Sequence, residues 1–183
     1  IVLFGSFFAI NRSVRDSVVR LIRTARDAGS IIIYDPNFRT PHLNELQEVK
    51  PFILENIEMA DIVRGSDDDF ELIFDAGSPE KAFHKVLAAG CSNLIYTSNK
   101  NGAFIMNKSN DLHINGFDIQ PVSTIGAGDN FNAGVIWTLL TEDITKPGLS
   151  ELKTISWKKI AQNGILFATD VCMQLDNYIS DEF

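Results

Sequence analysis

The sequence predicts an α/β fold, with a mostly parallel sheet covered by helices and an antiparallel hairpin at one edge. Short apolar runs alternate with segments of helical period, as in chains where helices connect parallel strands. The first run, the helical segment after it and the run IIIYD at residues 31–35 form a βαβ unit. Two further runs after residue 102 have a connection short enough for a hairpin.

The elements follow in a regular order along the chain. In the first helical segment the apolar residues share one face, and Gly29 ends the helix: Val14, Val18, Leu21, Ile22 and Ala25. The other predicted helices lie near residues 43–58, 68–75, 79–89, 127–141 and 151–175. The predicted strands are IVLFGSFF at 1–8, IIIYD at 31–35, ADIVRG at 60–65, NLIYTS at 93–98, AFIMN at 103–107 and LHING at 112–116. Between the strands at 93–98 and 103–107, NKNG at 99–102 predicts a tight turn.

Composition limits the class of partner. A chain of 183 residues with 45% hydrophobic content fits one domain, or most of one. The net charge of −8, without a block of Lys and Arg, disfavours nucleic acid and anionic membranes, so we expect a small-molecule partner. Cys91 and Cys172 show no metal or disulfide spacing, which favours a reducing, cytoplasmic location.

The stretch STIGAGDNFNAG at residues 123–134 carries the strongest chemical signal. Gly126 and Gly128 allow a tight backbone turn, and the helix after them directs free N–H groups and its positive dipole end at that turn. Asp129 lies in the first helical turn, where it stays ionised and able to accept a proton. An anion site beside a base indicates phosphoryl transfer to a hydroxyl. The alternative is a capped helix with no chemistry.

The longer pattern S-T-x-G-A-G-D-x-F-x-A-G resembles the C-terminal signature of the ribokinase-like (PfkB-type) carbohydrate kinases. YDPNFR at 34–39, VRGSDDDF at 63–70 and TSNKNG at 97–102 are similar to three further motifs of that family, in the same order. The resemblance covers nearly the whole chain. It implies a three-layer α/β/α sandwich, with residues 1–183 forming its C-terminal nucleotide-binding and phosphoryl-transfer part and an N-terminal part and lid missing.

The resemblance also implies roles at the turn. Asp129 would be the catalytic base that deprotonates a sugar hydroxyl for attack on the γ-phosphate of ATP. Gly126, Ala127 and Gly128 would supply backbone N–H groups to the transferred phosphoryl. Ser123 replaces the usual Asp of the signature, which disfavours the monovalent-cation site of the family.

Further residues are implied in binding nucleotide and Mg²⁺. The nucleotide set is Thr97, Asn99, Gly102, Asn163, Asn37 and Arg39, and the metal set is Asp69, Ser66 and Asp35. Asn99 replaces a family glycine, and we expect it to keep the turn because Asn tolerates positive φ. For Ser66 and Asp69 the alternative is a helix N-terminus with a serine cap, and for Asn163 it is core packing. For Asp35, Asn37 and Arg39 the alternative is a strand end whose polar residues face solvent.

Substrate identity is weakly encoded. IVRGSDDDFELIF and LDNYIS look most like bacterial fructokinase-like members, so fructose is favoured over another sugar or a nucleoside. A truncated, non-catalytic nucleotide-binding fragment is the main alternative. A dinucleotide-dependent oxidoreductase is disfavoured because no G-x-G-x-x-G follows an early strand. An apolar sheet edge also suggests a homo-oligomer.

Three aromatic residues are predicted to pack in the core rather than to bind ligand. Phe131 and Trp137 fall on the helix after the base, and Trp157 begins the last helix.

Overall fold

The computed structural model describes residues 1–180 and 183. Within these residues six strands form one sheet in the order β1-β2-β3-β4-β5-β6. The strands are β1 Val2–Gly5, β2 Ile32–Asp35, β3 Ile62–Ser66, β4 Leu94–Thr97, β5 Ala103–Asn107 and β6 Asn110–Ile114. The helices are α1 Ser6–Ile10, α2 Arg15–Asp27, α3 Leu46–Met59, α4 Asp67–Phe74, α5 Pro79–Ala88, α6 Ala127–Thr141 and α7 Thr154–Cys172.

The first four strands are parallel, and β5 and β6 form the antiparallel edge. In the register of the sheet Gly5 pairs with Asp35 and Ser66 pairs with Thr97, so the carboxyl ends of these strands lie along one edge. The predicted α/β class with a hairpin edge is therefore confirmed. The predicted and observed helices agree to within a few residues.

The chain departs from the prediction just after β1. Residues 6–10 form the short helix α1, whereas the sequence predicted a strand through residue 8. Gly5 lies so close to β2 that a Cβ atom there would come within 1.7 Å of the Asp35 carbonyl oxygen. Ser6 then adopts a left-handed backbone with φ of 58°, which turns the chain out of the strand. The apolar residues Ala9 and Ile10 are buried by the helix instead.

The described residues divide into two compact units, and the first comprises residues 1–97 and 106–111. Strands β2, β3 and β4 are almost entirely buried, as expected for parallel strands with helices on both faces. One core cluster joins α2 to the sheet through Val18, Ile22, Ile32 and Met59. Leu21 was predicted on the same helix face but is 62% exposed, because the buried stripe runs through Arg15, Val18 and Ile22.

The second unit comprises residues 98–105 and 112–183 and includes the packed pair α6 and α7. Two glycines allow the close approach of these helices. A Cβ atom on Gly134 would lie 2.5 Å from the Asn163 carbonyl oxygen, and one on Gly164 would lie 2.8 Å from the Phe131 ring. The phenylalanine and last glycine of the STIGAGDNFNAG stretch thus serve helix packing.

Three aromatic residues of this unit were predicted to pack in the core, and two of these predictions are confirmed. Phe131 and Trp157 are buried, but Trp137 is 47% exposed, so its assignment to the core was wrong. The face of α6 that meets α7 runs through Phe131, Gly134 and Thr138, and Trp137 lies beside that stripe. No helix in the described part of the chain combines the length and apolar character that a membrane span needs.

Candidate active site

The GAGD turn lies at the beginning of α6, a helix of 15 residues. Gly126 is the N-cap and has a left-handed φ of 81°, which a side-chain-bearing residue rarely adopts. The first N–H groups of a helix have no acceptor within it, and here Ala127 N donates to the Thr124 carbonyl at 3.3 Å. Asp129 lies in this first turn and is exposed. The turn therefore places an exposed carboxylate beside a positive helix end.

The turn is held by Asn130, which the sequence reasoning did not single out. Its Nδ2 donates to the Gly126 carbonyl at 3.0 Å and to the Asn177 carbonyl at 3.3 Å. The preceding loop is tied to α7 because Val122 N donates to the Cys172 carbonyl at 2.8 Å. An asparagine directly after Asp129 was a visible signal, since its amide can reach the carbonyl four residues earlier.

Ser123 stands where the resemblance implies an aspartate. Its Oγ accepts a hydrogen bond from Ile125 N at 3.2 Å, so the hydroxyl stabilises the loop before the turn. A neutral hydroxyl in place of a carboxylate gives the loop no negative charge at this position.

In the first unit, one arginine joins the carboxyl ends of two strands. Arg64 lies on β3, is buried, and donates from Nη1 to Asp35 Oδ2 and from Nη2 to Thr97 Oγ1, each at 2.9 Å. Thr97 Oγ1 donates in turn to the Gly65 carbonyl at 3.3 Å. The sequence reasoning missed Arg64, although a charged residue inside the apolar run ADIVRG was a signal for it.

The segment after β2 is fixed by its own side chains. Asn37 has a left-handed φ of 39°, and its N–H donates to Asp35 Oδ1 at 3.1 Å. Arg39 Nε donates to Asn37 Oδ1 at 2.8 Å, while the residue as a whole is exposed. The exposed Arg39 and the fixed Asn37 can meet an anionic ligand at this edge of the sheet.

Ser66 and Asp69 form a capping box at the beginning of α4. Asp69 is 5% exposed, and its Oδ1 accepts from Phe38 N at 2.6 Å while Oδ2 accepts from Ser66 N at 2.8 Å. Burial raises the pKa of Asp69, and the hydrogen bonds from Ser66 act in the opposite direction. The capping interpretation of these two residues is confirmed, and their role at a metal stays a prediction.

The donor chemistry of Asp35 and Asp69 fits Mg²⁺ through an intervening water. Within residues 1–180 and 183, no group of three or more His, Cys, Asp or Glu side chains is placed to hold a metal ion. Mg²⁺ in kinases is bound through one or two carboxylates, waters and substrate phosphates, so a larger cluster is not required. Both carboxylates are buried and hydrogen-bonded within the protein, which fits an indirect contact better than a direct one.

The turn at residues 98–102 contains two residues with positive φ. Asn99 has a positive φ of 41°, which confirms the expectation that this asparagine substitutes for glycine. Ser98 N donates to the Gly102 carbonyl at 2.9 Å, and Gly102 itself has a φ of 80°. A Cβ atom on Gly102 would lie 2.1 Å from the Ile114 carbonyl oxygen, so no larger residue fits.

Asn163 lies on α7 beside a cavity of about 740 Å³. Its Nδ2 donates to Thr138 Oγ1 at 2.9 Å, which ties α7 to α6. The cavity wall includes Trp137 and Phe167, whose rings are 5.9 Å apart. Asn163 therefore both packs in the helix pair and faces an open space with an aromatic wall.

Comparison with known proteins shows the family. Residues 1–152 match the model of the pfkB family of carbohydrate kinases. The chain belongs to this family. Among relatives, it is 27% identical over 126 residues to the fructokinase of Vibrio alginolyticus, covering 69% of this chain and 41% of that protein. It is 31% identical over 134 residues to the ATP-dependent 6-phosphofructokinase of Thermoanaerobacterium thermosaccharolyticum, covering 73% and 42%. The pfkB-family chain thus spans less than half the length of these relatives.

Solved structures share the fold of this pfkB-family chain. Aminoimidazole riboside kinase from Salmonella enterica, complexed with aminoimidazole riboside and an ATP analogue, aligns with a TM-score of 0.83 at 20% identity, covering 96% of this chain and 57% of that one. Fructokinase from Vibrio cholerae, bound to fructose, ADP and calcium, aligns at 0.81 and 19% identity, covering 96% and 55%. A protein assigned as Ribokinase II from E. coli, with ATP and Mg²⁺, aligns at 0.78 and 18% identity, covering 96% and 53%. The ribokinase-like fold is therefore confirmed.

The predicted site residues of this pfkB-family chain fall into two sets, one in each compact unit. In the first unit hydrogen bonds join Asp35 to Asn37, Asn37 to Arg39 and Ser66 to Asp69. Arg64 links Asp35 to Thr97, and Phe38 N links the segment after β2 to Asp69. The second unit carries Asn99, Gly102, Gly126, Ala127, Gly128, Asp129 and Asn163.

Proposed function

We propose that the protein is an ATP-dependent sugar kinase that transfers the γ-phosphoryl group of ATP to a sugar hydroxyl, with fructose as the favoured acceptor. The observation that carries this proposal is the exposed Asp129 in the first turn of α6, directly after the left-handed Gly126. A base beside a helix N-terminus supplies the two requirements of the reaction, proton removal and charge stabilisation.

In this proposal Asp129 accepts the proton of the attacking hydroxyl as the new O–P bond forms. The N–H groups at Gly126, Ala127 and Gly128 would bind the oxygens of the transferred phosphoryl, and the fixed dipole of α6 favours their negative charge. Ala127 N would exchange its contact with the Thr124 carbonyl for one with the phosphoryl. When bound, Mg²⁺ neutralises the phosphates, and Asp35, Ser66 and Asp69 would hold it through water. Little covalent chemistry is required of the protein beyond the proton transfer.

The nucleotide is assigned to the glycine-containing turn and its neighbours. Asn99 and Gly102 would direct the backbone of their turn toward the phosphates, and Thr97 lies just before that turn. Arg39, which is hydrogen-bonded to Asn37, would supply a positive charge opposite the negative phosphates. Asn163 would lie by the adenine, next to the aromatic wall of the cavity on α7. ATP analogue, ADP and ATP are bound in the three similar structures, which supports a nucleotide in this fold.

Fructose is favoured because similar proteins include fructokinases, one of them solved with fructose. A nucleoside or a sugar phosphate is the second candidate. A riboside kinase aligns with a TM-score of 0.83, and a phosphofructokinase is 31% identical. We place the protein in the cytoplasm, where ATP is available, with small molecules as its partners.

The test is ADP release by the full protein with ATP and Mg²⁺ over a panel of fructose, fructose 6-phosphate, ribose and a purine riboside. Turnover on one acceptor, well above the rate without acceptor, is the expected result and names the substrate. ATP binding without turnover on any acceptor would contradict the proposal and favour a non-catalytic nucleotide-binding protein. Oxidation of a substrate with NAD, without ADP release, would contradict the kinase class itself.

A further inference from the structure

A buried arginine links two of the proposed ligand-binding residues across the sheet. Arg64 is 7% exposed in the middle of β3, where an unpaired charge would be strongly unfavourable. Its guanidinium spans from Asp35 at the end of β2 to Thr97 at the end of β4, with both distances 2.9 Å. One side chain on the central strand thus fixes groups on both neighbouring strands.

Each partner is held from two sides. Asp35 accepts from Arg64 on Oδ2 and from Asn37 N on Oδ1, and this second bond fixes the left-handed Asn37. Thr97 Oγ1 accepts from Arg64 and donates to the Gly65 carbonyl, so its hydroxyl hydrogen is already directed into the protein. Without the guanidinium, the carboxylate and the hydroxyl would each lose one of the hydrogen bonds that fix their orientation.

The second carboxylate of this edge fixes the same segment. Asp69 Oδ1 accepts from Phe38 N at 2.6 Å, and Phe38 lies between Asn37 and Arg39.

We infer that Arg64 is a positioning residue for nucleotide and magnesium binding, because it orients Asp35 and Thr97 at the carboxyl ends of the strands. This inference rests on the proposed kinase function. The planar fork of arginine has two separated donors that reach two acceptors at once, whereas a lysine ammonium is a single point of charge. Lysine at this position keeps the charge and loses the simultaneous contact.

The first unit contains a matched control. Arg15 on α2 is 6% exposed and donates to the Ala9 carbonyl at 2.7 Å and to Asn56 Oδ1 at 2.5 Å. It joins helices rather than the ends of strands, and its further partners, the Phe52 carbonyl and Glu55, also lie outside the proposed site. Its replacement removes a buried guanidinium of the same kind at a position with no proposed ligand contact.

The experiment compares Arg64→Lys, Arg64→Gln and Arg15→Lys with the wild type in the full protein. Calorimetry measures Kd for ATP with and without Mg²⁺, steady-state kinetics measures KM and kcat, and thermal unfolding measures Tm. We expect the Arg64 variants to raise Kd and KM for magnesium ATP about tenfold or more, as for partners that orient a ligand-binding group. Arg64→Lys should bind magnesium ATP more weakly than the wild type although it keeps the positive charge. Arg15→Lys should lower Tm, while its Kd for magnesium ATP stays within about twofold of the wild-type value.

Wild-type affinity in Arg64→Lys and Arg64→Gln would overturn the inference. Equal weakening by Arg15→Lys would also overturn it, because the effect would then be one of general stability. If the wild type binds ATP but phosphorylates no acceptor, the proposed function fails while the Kd comparison still decides the role of Arg64. If the wild type binds no nucleotide, both fail.

Discussion

Ser66 and Asp69 hold each other at the beginning of α4. Asp69 N donates to Ser66 Oγ at 3.2 Å, and Asp69 Oδ2 accepts from Ser66 N at 2.8 Å. The same carboxylate accepts from Phe38 N, so the cap of one helix is joined to the segment after β2. A residue that the family resemblance places at a metal is therefore also a structural element of the first unit.

Asp69 should give the free energy of unfolding a defined pH dependence. Because burial raises its pKa above 3.8, the folded state binds a proton at Asp69 more tightly than the unfolded state does. Its ionisation therefore removes stability as the pH rises from 3.8 through the raised pKa. The stability of wild type minus that of Asp69→Asn should decrease across this window and stay constant above it.

Urea unfolding of both proteins at a series of pH values measures this difference. Asp68→Asn, an exposed carboxylate in the same helical turn, is the matched control. A difference that increases with pH across the window would show that the hydrogen bonds from Ser66 outweigh burial.

Asp129→Asn should lower kcat by about 10²–10⁴-fold, the usual contribution of a general base. Since Asp129 is exposed and the amide is isosteric, Tm and the Kd for ATP should change little. Asp143→Asn, an exposed carboxylate just beyond the other end of α6, is the control and should retain wild-type kcat. Undiminished turnover in Asp129→Asn would refute its assignment as the base.

Gly134→Ala should destabilise the protein by about 1–3 kcal/mol, the usual effect of overpacking. The new Cβ atom would lie 2.5 Å from a backbone oxygen of α7, so one helix must move. In an uncrowded helix the same change stabilises by about 1 kcal/mol, and the sign of the effect is therefore diagnostic.

Chemical denaturation measures that sign. Gly148→Ala is the control, since its Cβ atom would meet only the Thr145 hydroxyl at an ordinary 3.4 Å. Stabilisation by Gly134→Ala would mean that α6 and α7 are further apart than the 2.5 Å between that Cβ position and the Asn163 carbonyl oxygen implies.

The two thiols should differ in reactivity. Burial raises the pKa of Cys91 to about 11 and leaves the residue 1% exposed, while Cys172 is partly exposed and its pKa is raised by the same cause. At about pH 8 a disulfide reagent should modify Cys172 slowly and Cys91 only after unfolding, because the thiolate is the reactive form. The Cys172→Ser variant shows which thiol is modified. Rapid labelling of this variant in its folded state would contradict the burial of Cys91.

Much of the fold could be predicted because it is encoded locally. The apolar runs that became β2 and β4 are continuous, and Gly29 and Gly90 follow the ends of helices α2 and α5. Asn99 at positive φ and Gly126 at the beginning of α6 are also local, since their backbone preference belongs to the residue itself. These features needed no knowledge of the partners across the chain.

The misassigned residues depended on partners far apart in sequence. Leu21 and Trp137 are apolar residues at the helical spacing of core positions, yet both are exposed. Which face of a helix is buried depends on the elements that pack against it. Residues 6–8 were predicted as the end of a strand, and the close approach of Gly5 to Asp35 directs the chain into α1 instead.

The order of the strands and helices along the chain and the GAGD turn that carries Asp129 could be predicted from the sequence, because periodicity, glycine and capping act over a few residues. That Arg64 joins Asp35 to Thr97 and that Asp69 binds Phe38 N could be seen in the three-dimensional structure alone. These contacts link residues 29 to 33 positions apart, and they form because parallel pairing places the carboxyl ends of β2, β3 and β4 side by side. A buried charge must find its partner in space, and that partner cannot be read from its neighbours in sequence.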